Sequence, residues 1–319
     1  MKRLLWFLTI IFFCFDLPAT TLKVDRAVKS LAVKDVSFLS PKLEGSKESI
    51  TLQGNLVKRN NAKYNVLICH GYMIDYEQVS FLRHIFPEAN ILTFGFRGHS
   101  KQNKDQVCSI GKHESLDVAA AVKYFKSIPE FKGKPLFVYA FSMGAVASIL
   151  AQHKDPTLFD AMVLDCPYDT AYNVVARGLD DTRFKLFGYE FGIPGKNLLK
   201  KLAFNRFTQP IVQYVLIAGG RTVKTHMECV DTVEAAKKIS VPTFYISCKN
   251  DGKVPPVAIK NIYENTASSF KRLWITEGRH HFDSYFHSPE KYTYNVRKFV
   301  NNVVSRKFDK KEIGKIKED

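Results

Sequence analysis

Short, continuous apolar runs recur along the chain and end at small or polar residues, as buried strands do. Two β-like runs come first, at residues 36–39 and 50–57, with a turn of small and polar residues between them. Six buried strands are then predicted at residues 66–69, 91–94, 136–140, 161–164, 242–247 and 272–275.

Segments with helical character lie between and after these runs. Residues 115–127 have helical periodicity, residues 144–152 are small and apolar, and residues 289–304 predict a closing helix. This alternation predicts the α/β class, with a mostly parallel central sheet flanked by helices. Right-handed crossovers bring the C-terminal ends of parallel strands to one edge of the sheet, where ligands bind.

The stretch from residue 168 to residue 229 breaks this alternation. It is long, basic and interrupted by glycines and Pro194. Structureless loops of this length are uncommon in compact domains, so we predict a helical cap over the active edge. Its aromatic residues either line a pocket or simply pack on the domain. They are Phe184, Phe187, Tyr189, Phe191, Phe204 and Phe207.

The N-terminus predicts export. Lys2 and Arg3 precede an apolar run over residues 4–15, which is too short to span a bilayer. A basic start, an apolar run and a small-residue end predict a signal peptide over residues 1–19, and hence a periplasmic or secreted protein. Leu17 is a poor residue for the −3 position of the cleavage site, so an uncleaved membrane anchor is the alternative.

The remaining chain divides into a domain at residues 30–305 and a polar tail at residues 306–319, which we expect to be frayed. The net charge is +16, but the basic residues are spread out and accompany no nucleic-acid motif. We therefore predict no nucleic-acid partner. A basic solvated surface explains the charge, and peripheral contact with an anionic membrane is the alternative.

The cysteines do not form the pattern of a disulfide framework. Five follow the predicted signal peptide, which is an odd number. Cys69, Cys166 and Cys248 lie in or at the ends of predicted strands and are interpreted as small core residues. A single disulfide, such as one between Cys108 and Cys229, is the alternative.

Ser142 is the candidate nucleophile. It follows an apolar strand and precedes a helix of small residues, and residues 140–144 fit the G-x-S-x-G elbow with Ala140 in the first position. Small flanking residues let the strand and the helix approach closely, and the helix N-terminus faces the developing negative charge. A buried serine at an ordinary strand-to-helix turn is the alternative.

These residues belong to a set of motifs that resembles the α/β-hydrolase superfamily, particularly its esterase, lysophospholipase and serine-aminopeptidase-like branch. The resemblance covers about residues 35–305 and implies an α/β-hydrolase fold with a cap insertion. It rests on His70-Gly71, Phe96-Arg97-Gly98-His99-Ser100, Ala140-Phe141-Ser142-Met143-Gly144, Asn250-Asp251 with Val254-Pro255, and Gly278-Arg279-His280-His281.

The resemblance also implies the base. The family places its histidine three residues after a glycine, so Gly278 selects His281 over His280, and Asp283 fits the acidic residue often found just after it. Exchanged roles for the two histidines are the alternative. A metal site at His280, His281 and Asp283 is not expected, because adjacent histidines point to different sides of most backbones.

The acid implied by the resemblance is Asp251, in the turn after the strand at residues 242–247. Its carboxylate would orient the imidazole and stabilise it when protonated. The runner-up is Asp165, at the end of the preceding strand, whose other role would be bonding to loop amides.

An oxyanion hole needs two amide donors, and the resemblance assigns them to Tyr72 and Met143. His70 is interpreted as a structural histidine that bonds the Tyr72 loop, and residues 97–100 as an architectural loop beside the hole.

The sequence thus predicts a serine hydrolase that cleaves a carboxylic ester through an acyl-enzyme on Ser142. An apolar acyl group suits the aromatic cap, and a lipid or lysophospholipid ester suits the basic surface as well. No zinc spacing, Walker loop or dinucleotide glycine pattern is present, so we predict no metal and no cofactor. An acyltransferase, a thioesterase and an inactive binding protein on the same fold are the alternatives.

Overall fold

The computed structural model describes residues 32–181, 183–186, 189–192, 196–205, 207–208, 223–306 and 316–318. The predicted signal peptide at residues 1–19 lies outside this set. Within it, the model contains no helix with the length and apolar character that a membrane crossing requires.

One large sheet contains all but two of the described strands. In chain order the strands are β1 Val33–Pro41, β2 Ser49–Val57, β3 Tyr64–Cys69, β4 Ala89–Phe94, β5 Leu136–Phe141, β6 Ala161–Asp165, β7 Arg183–Leu186, β8 Tyr189–Gly192, β9 Thr243–Cys248, β10 Lys271–Thr276 and β11 Ile316–Glu318. The sheet order is β1-β2-β4-β3-β5-β6-β9-β10-β11, and β7 pairs with β8 separately. The β1–β2 and β2–β4 pairs are antiparallel, and the other pairs of the large sheet are parallel.

Helices cover both faces of this sheet. The α-helices are α1 Glu114–Ser127, α2 Met143–Lys154, α3 Ala171–Asp181, α4 Lys196–Phe204, α5 Thr232–Ala236, α6 Pro256–Asn265, α7 Ser284–His287 and α8 Pro289–Val304. Alternate residues of β3 enter different cores: Leu67 packs in the core that contains α1 and α2, and Ile68 packs in the core that contains α8. The central strands are therefore buried on both faces, which explains their continuous apolar runs.

The predicted strands and the three predicted helices are all present, with boundaries shifted by a few residues at most. The short helices α5 and α7 were not predicted, and two further elements differ from the expectation. Helix α6 was not predicted, although Pro256 starts it and its apolar residues follow helical spacing. The tail was expected to fray, but residues 316–318 pair in parallel with β10, because an open sheet edge offers unpaired amides and carbonyls.

The stretch predicted as a helical cap, residues 168–229, contains strands as well as helices. It contains α3, the β7–β8 hairpin and α4. Phe204 packs against Tyr172, with ring centroids 5.6 Å apart, whereas Tyr189 and Phe207 are exposed. Phe187 lies outside the described residues, as do the side chains of Phe184 and Phe191. A pocket-lining role for these aromatic residues stays a prediction.

All five described cysteines are free thiols. Cys69, Cys166 and Cys248 are completely buried, which confirms their interpretation as core residues. Cys108 is also buried, whereas Cys229 is exposed, and the bridge that the sequence left open between them is not formed.

A buried ion pair anchors the loop that follows β4. The Arg97 guanidinium donates to both carboxylate oxygens of Asp117, at 3.0 and 2.6 Å, and to the carbonyls of Pro41 and Lys42. The Asp117 carboxylate also accepts a hydrogen bond from the Ser40 hydroxyl. These contacts join β1, α1 and the loop, so Arg97 has the architectural role that the sequence predicted.

Asp117→Asn tests this anchor. It leaves the buried Arg97 charge without its counter-ion, so we expect a loss of about 3–5 kcal/mol in the free energy of unfolding, measured by urea denaturation. Glu48→Gln, which removes the exposed pair with Lys42, is the control and should cause no measurable change. Equal stabilities for the two variants would contradict the structural role of Arg97.

Candidate active site

Ser142 lies in a sharp turn between β5 and α2. Its backbone has φ 51° and ψ −121°, a sparsely populated conformation for a residue with a side chain. Its amide donates to the Asp165 carbonyl at 2.8 Å, which ties the turn to β6. A Cβ atom on Gly144 would collide with the His70 carbonyl oxygen and lie 2.8 Å from that of Cys69. A close approach of α2 to the end of β3 therefore requires glycine at position 144.

The three predicted residues meet at one edge of the sheet. His281 Nε2 lies 2.9 Å from Ser142 Oγ, and His281 Nδ1 lies 2.6 Å from Asp251 Oδ2. Ser142 follows β5, Asp251 follows β9 and His281 follows β10. The arrangement can do what a serine nucleophile needs: the imidazole can accept the hydroxyl proton, and the carboxylate can stabilise the resulting positive charge.

The environment of Asp251 favours its ionised form. Burial raises the pKa of this carboxyl, but the charge and hydrogen bond of His281 and the amides of Lys253 and Val254 together lower it below the ordinary value. Both amides donate to Asp251 Oδ1 at 2.9 Å. Asp251 therefore presents one oxygen to its own loop and the other to the imidazole.

Asp165, the runner-up acid, bonds other groups. Its Oδ2 accepts a hydrogen bond from the Tyr292 hydroxyl at 2.7 Å, and the Tyr139 hydroxyl lies 2.7 Å from that of Tyr292. Burial raises the pKa of Asp165 to about 6. In the structure, Asp251 rather than Asp165 is therefore the carboxylate that holds His281.

His280 contacts groups other than the nucleophile. Its side chain is exposed, and its Nδ1 lies 3.3 Å from the His281 carbonyl oxygen. The neighbouring Asp283 carboxylate is buried and accepts hydrogen bonds from the Arg279 amide and guanidinium, at 2.8 and 2.9 Å. Asp283 thus fixes the loop that carries His281.

The loop with Tyr72 is held by His70. The His70 ring is buried, its Nε2 accepts from the Phe96 amide at 3.0 Å, and its Nδ1 lies 2.7 Å from the Gly71 carbonyl oxygen. Burial lowers the pKa of this ring well below its usual value, so the ring is neutral and its proton sits on Nδ1. The structural interpretation of His70 is confirmed.

The two candidate oxyanion donors are the backbone amides of Met143 and Tyr72. Met143 is the first residue of α2, where amides have no acceptor within the helix. Tyr72 follows Gly71, and its hydroxyl lies 2.6 Å from Oγ1 of Thr225, near the end of the predicted cap stretch. The role of both amides as oxyanion donors stays a prediction.

Sequence reasoning treated Cys166 as a core residue and missed its position beside the site. Its Sγ lies within 4.8 Å of a carboxylate oxygen of Asp251 and of a ring nitrogen of His281. These are three metal-ligating side chains, whereas the set considered from sequence was His280, His281 and Asp283. The signal available in the sequence was the position of Cys166, directly after the strand that ends in Asp165.

The sheet and the Ser142–His281–Asp251 geometry together define an α/β hydrolase. Residues 60–282, more than half of the chain, match the family model of serine aminopeptidase, S33, and the chain belongs to this family. A search of curated proteins found no match to the sequence.

Solved structures show the same fold. The Pyrococcus furiosus esterase Pf2001 is similar at 22% identity with a TM-score of 0.64, over 88% of this chain and 95% of that one. The peroxisomal α/β-hydrolase Lpx1 of Saccharomyces cerevisiae is 12% identical with a TM-score of 0.58, over 89% and 93% of the two chains. A thermophilic esterase from Thermogutta terrifontis is 16% identical with a TM-score of 0.56, over 85% and 99%.

Asp165→Asn should change how stability depends on pH. The wild-type carboxyl has a pKa of about 6 when folded and an ordinary value of 3.8, so the folded state binds the proton more tightly. The contribution of Asp165 to wild-type stability should therefore fall as the pH rises through this window, by about 3 kcal/mol in total. The variant lacks this slope.

Urea denaturation of both proteins at several pH values measures the effect. The stability of Asp165→Asn minus that of the wild type should increase by about 3 kcal/mol between about pH 3.5 and pH 7. Asparagine can still accept the Tyr292 hydroxyl. Parallel stability curves would contradict the raised pKa.

Proposed function

We propose that this chain is a serine esterase that works through an acyl-enzyme on Ser142. The observation that carries the proposal is the continuous chain of hydrogen bonds from the Ser142 hydroxyl through His281 to Asp251. The strained Ser142 backbone at the start of α2 supports it, since such turns expose a nucleophile at a strand end.

The reaction would proceed in two halves. Ser142 Oγ attacks the ester carbonyl while His281 Nε2 takes the hydroxyl proton, and the Met143 and Tyr72 amides stabilise the oxyanion. The ester C–O bond breaks, the alcohol leaves with the proton from His281, and the acyl group stays on Ser142. Water, deprotonated by His281, then attacks the acyl-enzyme, the bond to Ser142 Oγ breaks, and His281 returns the proton to that oxygen as the carboxylic acid leaves.

The proposed substrate is a small-molecule carboxylic ester with an apolar acyl group, with a lipid or lysophospholipid ester as the specific case. Two of the similar structures are esterases by name, which favours an ester over the peptide suggested by the family name. An aromatic, basic cap and a net charge of +16 support an apolar chain with an anionic headgroup. A thioester, or an alcohol in place of water as the acyl acceptor, would use the same three residues.

We also propose that the protein is exported, on the basis of the basic and apolar N-terminal segment. A membrane anchor through that segment is the second candidate. Peripheral contact with anionic lipid would bring a lipid substrate to the cap, because the basic surface is attracted to such headgroups.

Labelling by a fluorophosphonate probe tests the nucleophile. Wild-type protein should be labelled, and Ser142→Ala should not, because the probe reacts with activated serine hydroxyls.

Asp251→Asn should lower kcat for p-nitrophenyl acetate by roughly 10³–10⁴-fold, because the histidine loses its orienting partner.

Asp165→Asn is the matched control, since it alters a buried carboxylate at the neighbouring strand end. It should cost far less activity than Asp251→Asn. Labelling that survives Ser142→Ala, or a greater loss in Asp165→Asn, would overturn the assignment.

A series of p-nitrophenyl esters of increasing acyl length tests the substrate. We expect kcat/KM to increase from acetate to medium or long chains, because each added methylene can bury apolar area worth about 0.8 kcal/mol. The control is Ser142→Ala with each ester. A preference for the shortest chain would contradict the lipid proposal and leave the esterase proposal intact.

A further inference from the structure

A buried thiol stands beside the proposed catalytic residues. Cys166 follows the last residue of β6, is completely buried and has a left-handed backbone with φ 50°. Its Sγ, one Asp251 oxygen and one His281 nitrogen all lie within 4.8 Å of one another. The three side chains come from different strand ends, so the topology of the sheet brings them together.

The spacing suits a tetrahedral metal ion. Zinc binds sulfur at about 2.3 Å and nitrogen or oxygen at about 2.0–2.2 Å, so its ligand atoms lie about 3.3–3.6 Å apart. Ligand atoms that now lie up to 4.8 Å apart would have to approach by up to about 1.5 Å to reach these distances. The Asp251–His281 contact, now 2.6 Å, would have to open.

The charges suit a soft divalent cation as well. Once a metal has displaced the thiol proton, Cys166 and Asp251 together carry two negative charges, which a divalent ion neutralises within the buried site. Thiolate and imidazole ligands favour zinc and cadmium, whereas magnesium and calcium prefer sites built from oxygen.

We propose that Cys166, His281 and Asp251 form an inhibitory site for thiophilic divalent cations such as Zn²⁺ and Cd²⁺. The ion displaces the Cys166 thiol proton, which goes to solvent, and the imidazole keeps its single proton on the ring nitrogen that does not bind the metal. The imidazole nitrogen that binds the metal is then withdrawn from its pairing with Ser142 or Asp251. Inhibition rests on the proposed esterase function, whereas metal binding does not.

Inhibition is measured with p-nitrophenyl acetate over a range of Zn²⁺ concentrations. Wild-type activity should be lost and then restored by EDTA. Cys166→Ser should keep its basal activity and raise the half-inhibitory concentration at least about tenfold. Cys229→Ser is the matched control: it removes the one exposed thiol among the described cysteines, an obvious rival ligand, and should be inhibited like the wild type.

Binding is measured separately with Cd²⁺, through the ultraviolet charge-transfer band of a cadmium–thiolate bond. A phosphine reductant keeps Cys166 and Cys248, whose sulfurs are 3.9 Å apart, as thiols. The band should form at one ion per chain in the wild type and in Cys229→Ser, and be lost in Cys166→Ser. This readout needs no turnover, so a metal site on an inactive chain is distinguished from failure of the metal proposal.

Cys166→Ala serves as a second variant if the serine variant does not fold, with circular dichroism as the check. A wild-type band that is absent, or that depends on Cys229, would overturn the proposal. So would equal inhibition of wild type and Cys166→Ser.

Discussion

The close contact between the start of α2 and the end of β3 determines the geometry of the whole site. It is possible only because Gly144 has no Cβ atom to collide with the carbonyl oxygens of His70 and Cys69. From the other side, a Cβ atom on Gly71 would lie 2.6 Å from the Phe141 ring. The strained Ser142 turn and the Tyr72 loop are thus packed against each other. A shift of one would displace the other, so the nucleophile and the proposed oxyanion donors keep a fixed separation.

Two buried carboxylates at neighbouring strand ends have opposite pKa shifts. Asp251 accepts two loop amides and the His281 ring, and these contacts outweigh the burial that opposes its ionisation. Asp165 is approached by the Tyr292 hydroxyl and the Cys166 thiol, but burial outweighs these neutral donors and raises the pKa of Asp165 to about 6. The number and charge of the donors, rather than the distance from the sheet edge, therefore decide which carboxylate is ionised beside the imidazole.

The fold was largely predictable because the central strands are buried on both faces, which produces apolar runs that a surface element does not show. The failures lie where no such pattern exists. The three residues of β11 are all exposed, and only the open edge of β10 accounts for their pairing. The β7–β8 hairpin and α4 depend on how the cap folds upon itself, so the residues of 168–229 indicated an insertion without specifying its elements.

The site was predictable to the extent that strand ends specify it. Ser142, Asp251 and His281 each follow a parallel strand, so the topology alone brings them to one edge. The choice of Asp251 over Asp165 came from family resemblance, because the sequence does not display the amides and hydroxyls that surround each carboxylate. The same limit applied to Cys166: a small buried cysteine and a cysteine facing the imidazole have the same sequence pattern. Which of them it is depends on the direction of one side chain at the end of β6, where the backbone of Cys166 turns into the left-handed region.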